Sequence, residues 1–320
     1  MAVFLALLAA VFWLSRAGRA AARFDRPITI VVTFPAGGGT DLLARRLGAA
    51  LQTRLGQTVV VENRPGASGN IGARHVAEAA PDGSTLLMVN SSFAINPGVY
   101  QHLDFDPRRD FAAVINTGTI ASVLVVPQAS AYQSLADVAR DLRERQGARL
   151  PFASCGNGTP QHLAGEMMAR ALDLRLQHVP YKGCGPAVTD VAAAQVPLGM
   201  VTASSAAQMI EAGRMRAIAV TSARRLARMP GVPTVAEQGA PGFEAQQWHG
   251  LLAPSATPEA VLEHLHEVLA EILDEPATRQ ALELQGYVPQ RQSTRQFAQL
   301  IESDMDRYAR LSRSLGLQVD

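Results

Sequence analysis

Short runs of β-branched and other apolar residues alternate along this chain with stretches whose apolar residues recur at helical spacing. The first run, ITIVVT at Ile28 to Thr33, is uncharged and is stopped by Pro35. Three glycines follow, and leucines at positions 42, 43 and 47 then recur as on one face of a helix. This order predicts a buried strand, a glycine-rich loop and an amphipathic helix that begins near Thr40.

The same unit recurs in the next fifty residues. TVVV at 58–61 and TLLMV at 85–89 predict two more strands, with a helix at 71–80 between them. Successive units of this kind favour a parallel sheet whose strand-end loops share one edge. We therefore expect the loops FPAGGGTD (34–41), ENRPGASGN (62–70) and NSS (90–92) to lie together.

A second set of alternating elements follows the apolar run at 123–126, which we interpret as a crossover strand. The predicted strands are 150–153, 177–181, 196–202 and 215–221, and the predicted helices are 134–146, 161–172, 187–194 and 206–212. A returning strand at 248–253 and helices at 259–273, 276–285 and 294–315 complete the pattern. The chain therefore predicts an α/β protein built from two similar halves.

Composition narrows the class of protein. The chain has 320 residues, of which 48% are hydrophobic and 18% charged, enough for a packed core in one or two domains. Residues 1–22 combine an apolar run at 3–14 with alanines at 20 and 22, which is the pattern of an export signal cleaved near Ala22. Without that segment 27 basic and 28 acidic residues remain, so we expect no nucleic acid partner.

The loop at 34–41 suits an anion. Glycines let a ligand approach the backbone, and the unpaired N–H groups of a helix start favour a carboxylate or a phosphate. Leu42 stands where a dinucleotide fingerprint requires glycine, and no Gly-Lys-Ser/Thr follows as in a P-loop. The alternative is a turn that binds nothing, with Thr40 or Asp41 as the helix N-cap.

Cys155 and Cys184 are the two cysteines of the sequence, and both follow predicted strands. In an oxidising compartment they are candidates for a disulfide. The alternative is a hydrolase with Cys155 as nucleophile and His162 or His178 as base. We identify no third orienting group and no serine-hydrolase elbow, so we expect no enzyme. The seven histidines lack metal-ligand spacing, and no metal or other cofactor is predicted.

Eight segments occur along the chain in a fixed order. They are FPAGGGTD, VVVENRPGASGNIG, APDGSTLLM, SCGNGTPQHLAGE, VPYKGCGPAVTD, MRAIAVTSARR, GVPTVAEQGAPGFE and WHGLLAPSATP. Together they resemble the tripartite tricarboxylate transporter substrate-binding family, also called the Bug solute receptors. The resemblance runs from about Arg26 to the C-terminal helix, which is nearly all of the exported chain.

This resemblance implies a type II periplasmic binding protein. In that fold two α/β lobes, each a mainly parallel sheet flanked by helices, close on a small carboxylate and deliver it to a membrane permease without catalysis. We expect lobe 1 to comprise residues 26–125 and 225–320, lobe 2 to comprise residues 126–224, and the periplasmic protein to act as a monomer. A carboxylate sensor without a transport role is the alternative.

Carried over residue by residue, the resemblance predicts one jaw of the site in each lobe. The lobe 1 candidates are Phe34, Ala36, Gly38, Thr40, Asp41, Ser91 and Ser92. The lobe 2 candidates are Gly156, Thr159, His162 and Asp190. Two of these have structural alternatives: Asp41 as the partner of its own helix start, and His162 as a buried brace of its loop.

The ligand itself stays open at this stage. A citrate-like acid, a dicarboxylate, an aromatic carboxylate such as nicotinate and an acidic amino acid all fit a donor-rich cavity. Asp190, if it faces the cavity, would repel a second carboxylate and favour an ammonium group. Lys182, the one lysine of the chain, is expected to make a contact within lobe 2, outside the site.

Overall fold

A computed structural model describes residues 26–145 and 147–318. The predicted export signal, residues 1–22, lies outside these described residues. Within them no helix is both long and apolar enough to cross a membrane.

The first lobe is built on a mixed sheet. Its strands are β1 (Ile28–Val32), β2 (Val59–Asn63), β3 (Thr85–Asn90), the first part of β4 (Phe111–Pro127), and β9 (Gln246–Pro254), in the order β2-β1-β3-β9-β4. The first three are parallel, and β9 runs antiparallel to β3 and β4. β1 carries no charge, and four of its five residues are buried, because helices cover both faces of the sheet.

Six helices and a short strand complete this lobe. They are α1 (Gly39–Leu55), α2 (Asn70–Ala77), α3 (Ser92–Ile95), α8 (Glu259–Asp274), α9 (Pro276–Leu284), β10 (Tyr287–Val288) and α10 (Thr294–Leu315). A capping box between Ser293 and Gln296 starts α10. Phe297, Ile301 and Met305, at helical spacing, then bury one face of α10 against the sheet.

The second lobe repeats the design. The end of β4 joins β5 (Leu150–Ser154), β6 (Leu176–Pro180), β7 (Leu198–Thr202) and β8 (Met215–Val220). Strands β5, β6 and β7 are parallel, and β4 runs antiparallel between β7 and β8. The helices of this lobe are α4 (Leu135–Glu144), α5 (Pro160–Ala171), α6 (Cys184–Ala192) and α7 (Ala203–Glu211). The predicted two-lobed α/β fold is confirmed.

β4 is one strand of 17 residues that serves both sheets. The sequence predicted a crossover strand over 123–126 alone, and this prediction was too short. Gly118 separates the two apolar runs, but at φ 147° it lets the strand continue through an irregularity in its pairing with β9. A side chain there would meet the carbonyl oxygen of Val288 at 2.9 Å, so the bend requires glycine.

The chain passes between the lobes at two neighbouring points. In β4, Ala121 pairs with Gln246 of the first sheet, whereas Ser122 pairs with Thr202 of the second. Ala245 donates to the carbonyl oxygen of Thr221 at 2.8 Å, so the segment before β9 lies on lobe 2. We therefore propose residues 26–121 and 246–318 as lobe 1 and residues 122–245 as lobe 2. This moves the return point predicted at 225 to the start of β9.

Candidate functional site

The two lobes touch across the cleft between them. Ser68, whose φ of 52° lies in the left-handed region that few non-glycine residues adopt, donates a hydrogen bond to the carbonyl oxygen of Asn157. The Pro35 ring lies so close to Gly183 that a Cβ there would be 3.2 Å from it, and Gly39 faces the hydroxyl of Ser204. The structure is therefore the closed form of the cleft.

A small cavity, which we call the inner chamber, remains between the closed lobes. Its volume is about 50 Å³, room for a few water-sized groups. It is lined by Phe34, Pro35, Ala36, Gly38, Gly39, Thr40 and Asn90 of lobe 1 and by Cys155, Gln161, Gly183, Cys184, Gly185, Pro186 and Thr202 of lobe 2. None of these lining residues is charged, so a bound ion would be held by neutral groups.

Three helices begin at the inner chamber: α1 at Gly39, α6 at Cys184, and α7 directly after Thr202. Within the described chain no side chain caps any of these three starts. Their first N–H groups therefore remain available, and the positive ends of three helix dipoles converge on one small volume. Backbone donors at helix starts are suited to an anion.

A buried polar cluster lies behind the chamber. The hydroxyl oxygen of Thr202 accepts hydrogen bonds from the side-chain amides of Gln161 at 3.0 Å and Gln247 at 3.2 Å. Thr40 Oγ1 lies 3.1 Å from Nε2 of His249, whose pKa is lowered to about 3 by burial. The ring of His249 is therefore neutral at pH 7, and the cluster adds polarity without charge.

The structure places the lobe 1 candidates in three different surroundings. Phe34, Ala36, Gly38 and Thr40 line the inner chamber, and their contact with a ligand stays a prediction. Ser91 accepts a hydrogen bond from the backbone N–H of Trp248 at 2.9 Å and is engaged within its own lobe. Ser92 is buried beside Phe34, and its Oγ has no hydrogen-bond partner among the described residues.

Asp41 serves its own helix start. Gly38 is the N-cap of α1, so Thr40 and Asp41 lie inside the first turn rather than at the predicted cap position. The Asp41 carboxylate accepts from Gly37 N at 2.9 Å, Arg45 Nε at 3.0 Å and Asn63 Nδ2 at 2.9 Å. Burial opposes its ionisation, but these hydrogen bonds outweigh burial and lower the pKa. Its contact with a ligand stays a prediction.

The lobe 2 candidates do not line the inner chamber. The Thr159 hydroxyl caps α5 by accepting from His162 N at 3.3 Å, and it donates to the carbonyl oxygen of Gly156 at 2.7 Å. His162 Nδ1 accepts from Gly158 N at 3.3 Å, which is the brace that the sequence left as an alternative. Asp190 accepts from the Tyr181 hydroxyl at 2.8 Å. Ligand contacts of these residues stay predictions.

Sequence reasoning missed the lobe 2 face of the chamber. This face consists of the starts of α6 and α7 with Gln161, rather than the loop at 156–159. The signal was present, because Gly183 to Gly185 follow a strand and open a helix in the same way as the glycines at 37–39. The sequence predicted Thr159 as a ligand contact because it begins a helix as the N-cap. A capped helix, however, has fewer free backbone donors than an uncapped one.

Cys155 and Cys184 form a disulfide in the wall of the chamber. It joins the loop before α5 to the first residue of α6, 29 positions later in the chain. A bonded sulfur supplies no thiolate, which removes the nucleophile of the hydrolase alternative. The disulfide instead ties together two segments that face the cleft.

Two α/β lobes closed over a neutral, donor-rich chamber define the class of two-lobed solute-binding proteins. Comparison with known proteins gives the family. The model of the tripartite tricarboxylate transporter family receptor matches residues 43–317. The chain belongs to this family, as the eight segments predicted, and family members are periplasmic receptors rather than enzymes.

Individual relatives extend this assignment over most of the chain. Protein BugT of Bordetella pertussis is 33% identical over 296 residues, which cover 92% of this chain and 90% of BugT. The structure of R. palustris Rpa4515 with adipate has a TM-score of 0.88 at 32% identity and covers 92% of this chain and 99% of that one. The structure of MatC (Rpa3494) from Rhodopseudomonas palustris, with bound malate, has a TM-score of 0.83 at 29% identity. The match covers 90% of this chain and 99% of MatC.

Proposed function

We propose that this protein is an exported receptor that captures a small carboxylate in the inner chamber by lobe closure and delivers it to a membrane permease. The observation that carries the proposal is the convergence of three uncapped helix starts on a chamber with no charged lining residue. Neutral backbone donors and dipole ends stabilise a carboxylate without a counter-charge that would have to be desolvated.

Closure couples to binding through the same helix ends. The start of α1 belongs to lobe 1, and the starts of α6 and α7 belong to lobe 2. Without an anion, closure brings like dipole ends together, which is unfavourable. An anion contacts all three starts in the closed form alone, so it shifts the population from open to closed. The permease recognises the closed form in this mechanism.

The remaining parts of the proposal rest on the family. Its members are receptors of a tripartite transporter, and two solved relatives hold adipate and malate. We propose by extension that residues 1–22 direct export, that the periplasmic chain acts as a monomer, and that a carboxylate is the transported ligand.

Placing a carboxylate at the chamber is expected to weaken ligand binding. A Cβ at Gly185, which lines the chamber at the start of α6, meets no atom within 4 Å. We expect Gly185→Asp to weaken binding of dicarboxylates and aromatic carboxylates at least tenfold, because two like charges 4 Å apart repel by about 4 kcal/mol at an effective dielectric constant of 20. Calorimetry and the rise in melting temperature with ligand measure the loss.

Two controls belong to this experiment. Gly185→Asn adds nearly the same volume without charge and should retain most of the affinity. Gly231→Asp, at another open surface position, should bind as the wild type does. If the Asp and Asn variants at position 185 bind equally well, or if no carboxylate stabilises the wild type, the proposed site is wrong.

Closure itself requires the absence of a side chain at Gly39. A Cβ at this position would lie 2.6 Å from the Ser204 hydroxyl on the opposite lobe. Gly39→Ala is therefore expected to weaken ligand binding several-fold, while the melting temperature without ligand is unchanged or slightly raised, as for alanine in a helix. Ser204→Ala removes the clashing oxygen and should restore the affinity of Gly39→Ala. An equal loss in both backgrounds would show that the clash is not the cause.

A further inference from the structure

A second cavity lies outside the inner chamber, and we call it the outer cleft. Its volume is about 520 Å³, and it shares Phe34, Pro35, Cys155 and Gly183 with the inner chamber. The other lining residues are Pro65, Gly66, Ala67, Ser68, Gly69 and Tyr100 of lobe 1 and Gly156, Asn157, Pro180, Tyr181 and Lys182 of lobe 2. A volume of this size is typical of small-molecule sites.

The walls of the outer cleft are apolar or neutral except at one point. Phe34, Pro65, Tyr100 and Pro180 present rings to it, and Lys182 is its one charged lining residue. No carboxylate lines it, so an anion that enters meets a cation without a competing negative charge. Apolar walls with a single cation at one side suit an apolar group that carries an anion at its far end.

Lys182 is exposed, and the structure gives its side chain no ion pair or hydrogen bond with any other described residue. If Lys182 makes the contact within lobe 2 that the sequence suggested, that contact is neither an ion pair nor a side-chain hydrogen bond with another described residue. A cation that compensates no internal carboxylate remains free to pair with a ligand.

The backbone that carries Lys182 is held in place on both sides. Tyr181 N donates to the carbonyl oxygen of Ser154 at 3.2 Å, and Gly183 N donates to that of Cys155 at 3.1 Å. The disulfide then anchors the next residue, Cys184, to Cys155. The charge is thus presented from a fixed point at the edge of the cleft, which lowers the entropic cost of pairing with it.

The sizes of the two cavities separate the parts of a ligand. The inner chamber has room for one carboxylate and little more, whereas the outer cleft is about ten times larger. We propose that the ligand is an elongated dicarboxylate: one carboxylate lies at the helix starts, an apolar spacer lies in the outer cleft, and the second carboxylate pairs with Lys182. This inference rests on the proposed function and assigns Lys182 as the residue that selects for a second acidic group.

Paired acids of equal length test this assignment. We would measure the affinity of the mature protein for adipate and hexanoate, and for terephthalate and benzoate, by calorimetry at low and high salt. The wild type should bind each dicarboxylate more tightly than its monocarboxylate partner. Lys182→Met should weaken dicarboxylate binding about threefold to fivefold, the range of a partly exposed ion pair, and leave monocarboxylate binding unchanged.

Three controls define the outcome. Lys182→Arg should retain the preference, and added salt should reduce it in the wild type but not in Lys182→Met. Arg46→Met, which removes an exposed cation on α1, should not change it. Melting temperatures identify a variant that fails to fold.

Failure of this inference is distinct from failure of the proposed function. If Lys182→Met weakens both members of a pair equally, or if the wild type binds both equally, Lys182 does not select the second carboxylate and the inference is overturned. If none of the four acids binds the wild type, the proposed carboxylate function is overturned as well.

Discussion

Acidification is expected to destabilise this protein from about pH 6.5 downwards, before most carboxylates titrate. Burial lowers the pKa of His249 to about 3 and that of His162 to about 4, and burial beside His162 lowers the pKa of His178 to about 3. In the unfolded chain all three take up protons near pH 6.5. Between pH 6.5 and 4 the unfolded state therefore binds more protons, and the free energy of unfolding falls as pH falls.

The surroundings of these rings explain why the folded state resists protonation. His162 and His178 stack with their ring centroids 3.6 Å apart, so two charges there would repel. His178 Nε2 lies 2.6 Å from Ser154 Oγ, and a carboxylate oxygen of Glu166 lies 3.9 Å from His162 Nε2. Burial raises the pKa of Glu166, so its charged form is disfavoured as well. This carboxyl is therefore a weak counter-ion for the pair.

Urea unfolding at a series of pH values measures the effect. Each buried histidine contributes up to about 1.4 kcal/mol per pH unit below its unfolded-state pKa, so a total loss of several kcal/mol by pH 5 is expected. His178→Asn should flatten the dependence by about one proton. Stability that stays constant from pH 7 to pH 5 would contradict the prediction.

Removal of the disulfide should produce the second large loss of stability. Cys155 and Cys184 are 29 residues apart in sequence, and opening a loop of that length costs about 3.6 kcal/mol because the unfolded chain gains entropy. The Cys155→Ser, Cys184→Ser variant should therefore have a lower urea midpoint. Its ligand affinity should fall as well, since the start of α6 is no longer tied to the opposite loop.

A reducing agent provides the matched control for this variant. Treated wild type, once its thiols titrate as free, should unfold at the midpoint of the double serine variant. The variant itself should not respond to the reagent. A wild type that is fully reduced and yet equally stable would show that the disulfide does not stabilise the fold.

The local sequence pattern was sufficient to predict most helices and strands and to identify the receptor family. Apolar runs followed by glycine-rich loops predicted β1, β2, β3 and the strands of lobe 2 because strand and helix periodicity are properties of neighbouring residues. The order of the eight segments predicted the two-lobed fold and the receptor family, and both are confirmed. The loop at 34–41 was predicted as one jaw because a strand, three glycines and a helix are contiguous in sequence, and the structure places this loop at the inner chamber.

The second jaw was not predictable in the same way. Whether a helix start is free for a ligand depends on which side chain reaches it. Thr159 caps α5, whereas no side chain of the described residues caps α6 or α7. The role of Asp41 depends in part on Asn63, which arrives on another strand. The position at which the chain returns to lobe 1 depends on hydrogen bonds that hold the segment 232–245 against the end of β8. The prolines and glycines of this segment are typical of a surface loop and do not indicate these hydrogen bonds.

The sequence by itself therefore determined the class of protein, its alternating elements and one loop suited to an anion. The tertiary structure decided which donors remain unsatisfied and that Cys155 is bonded rather than reactive. It also decided that Lys182 is the one charged residue among the described residues that line the outer cleft. The physical reason is that helix and strand formation follow residues close in sequence. Hydrogen-bond satisfaction and charge pairing are set instead by residues that meet only when the chain has folded.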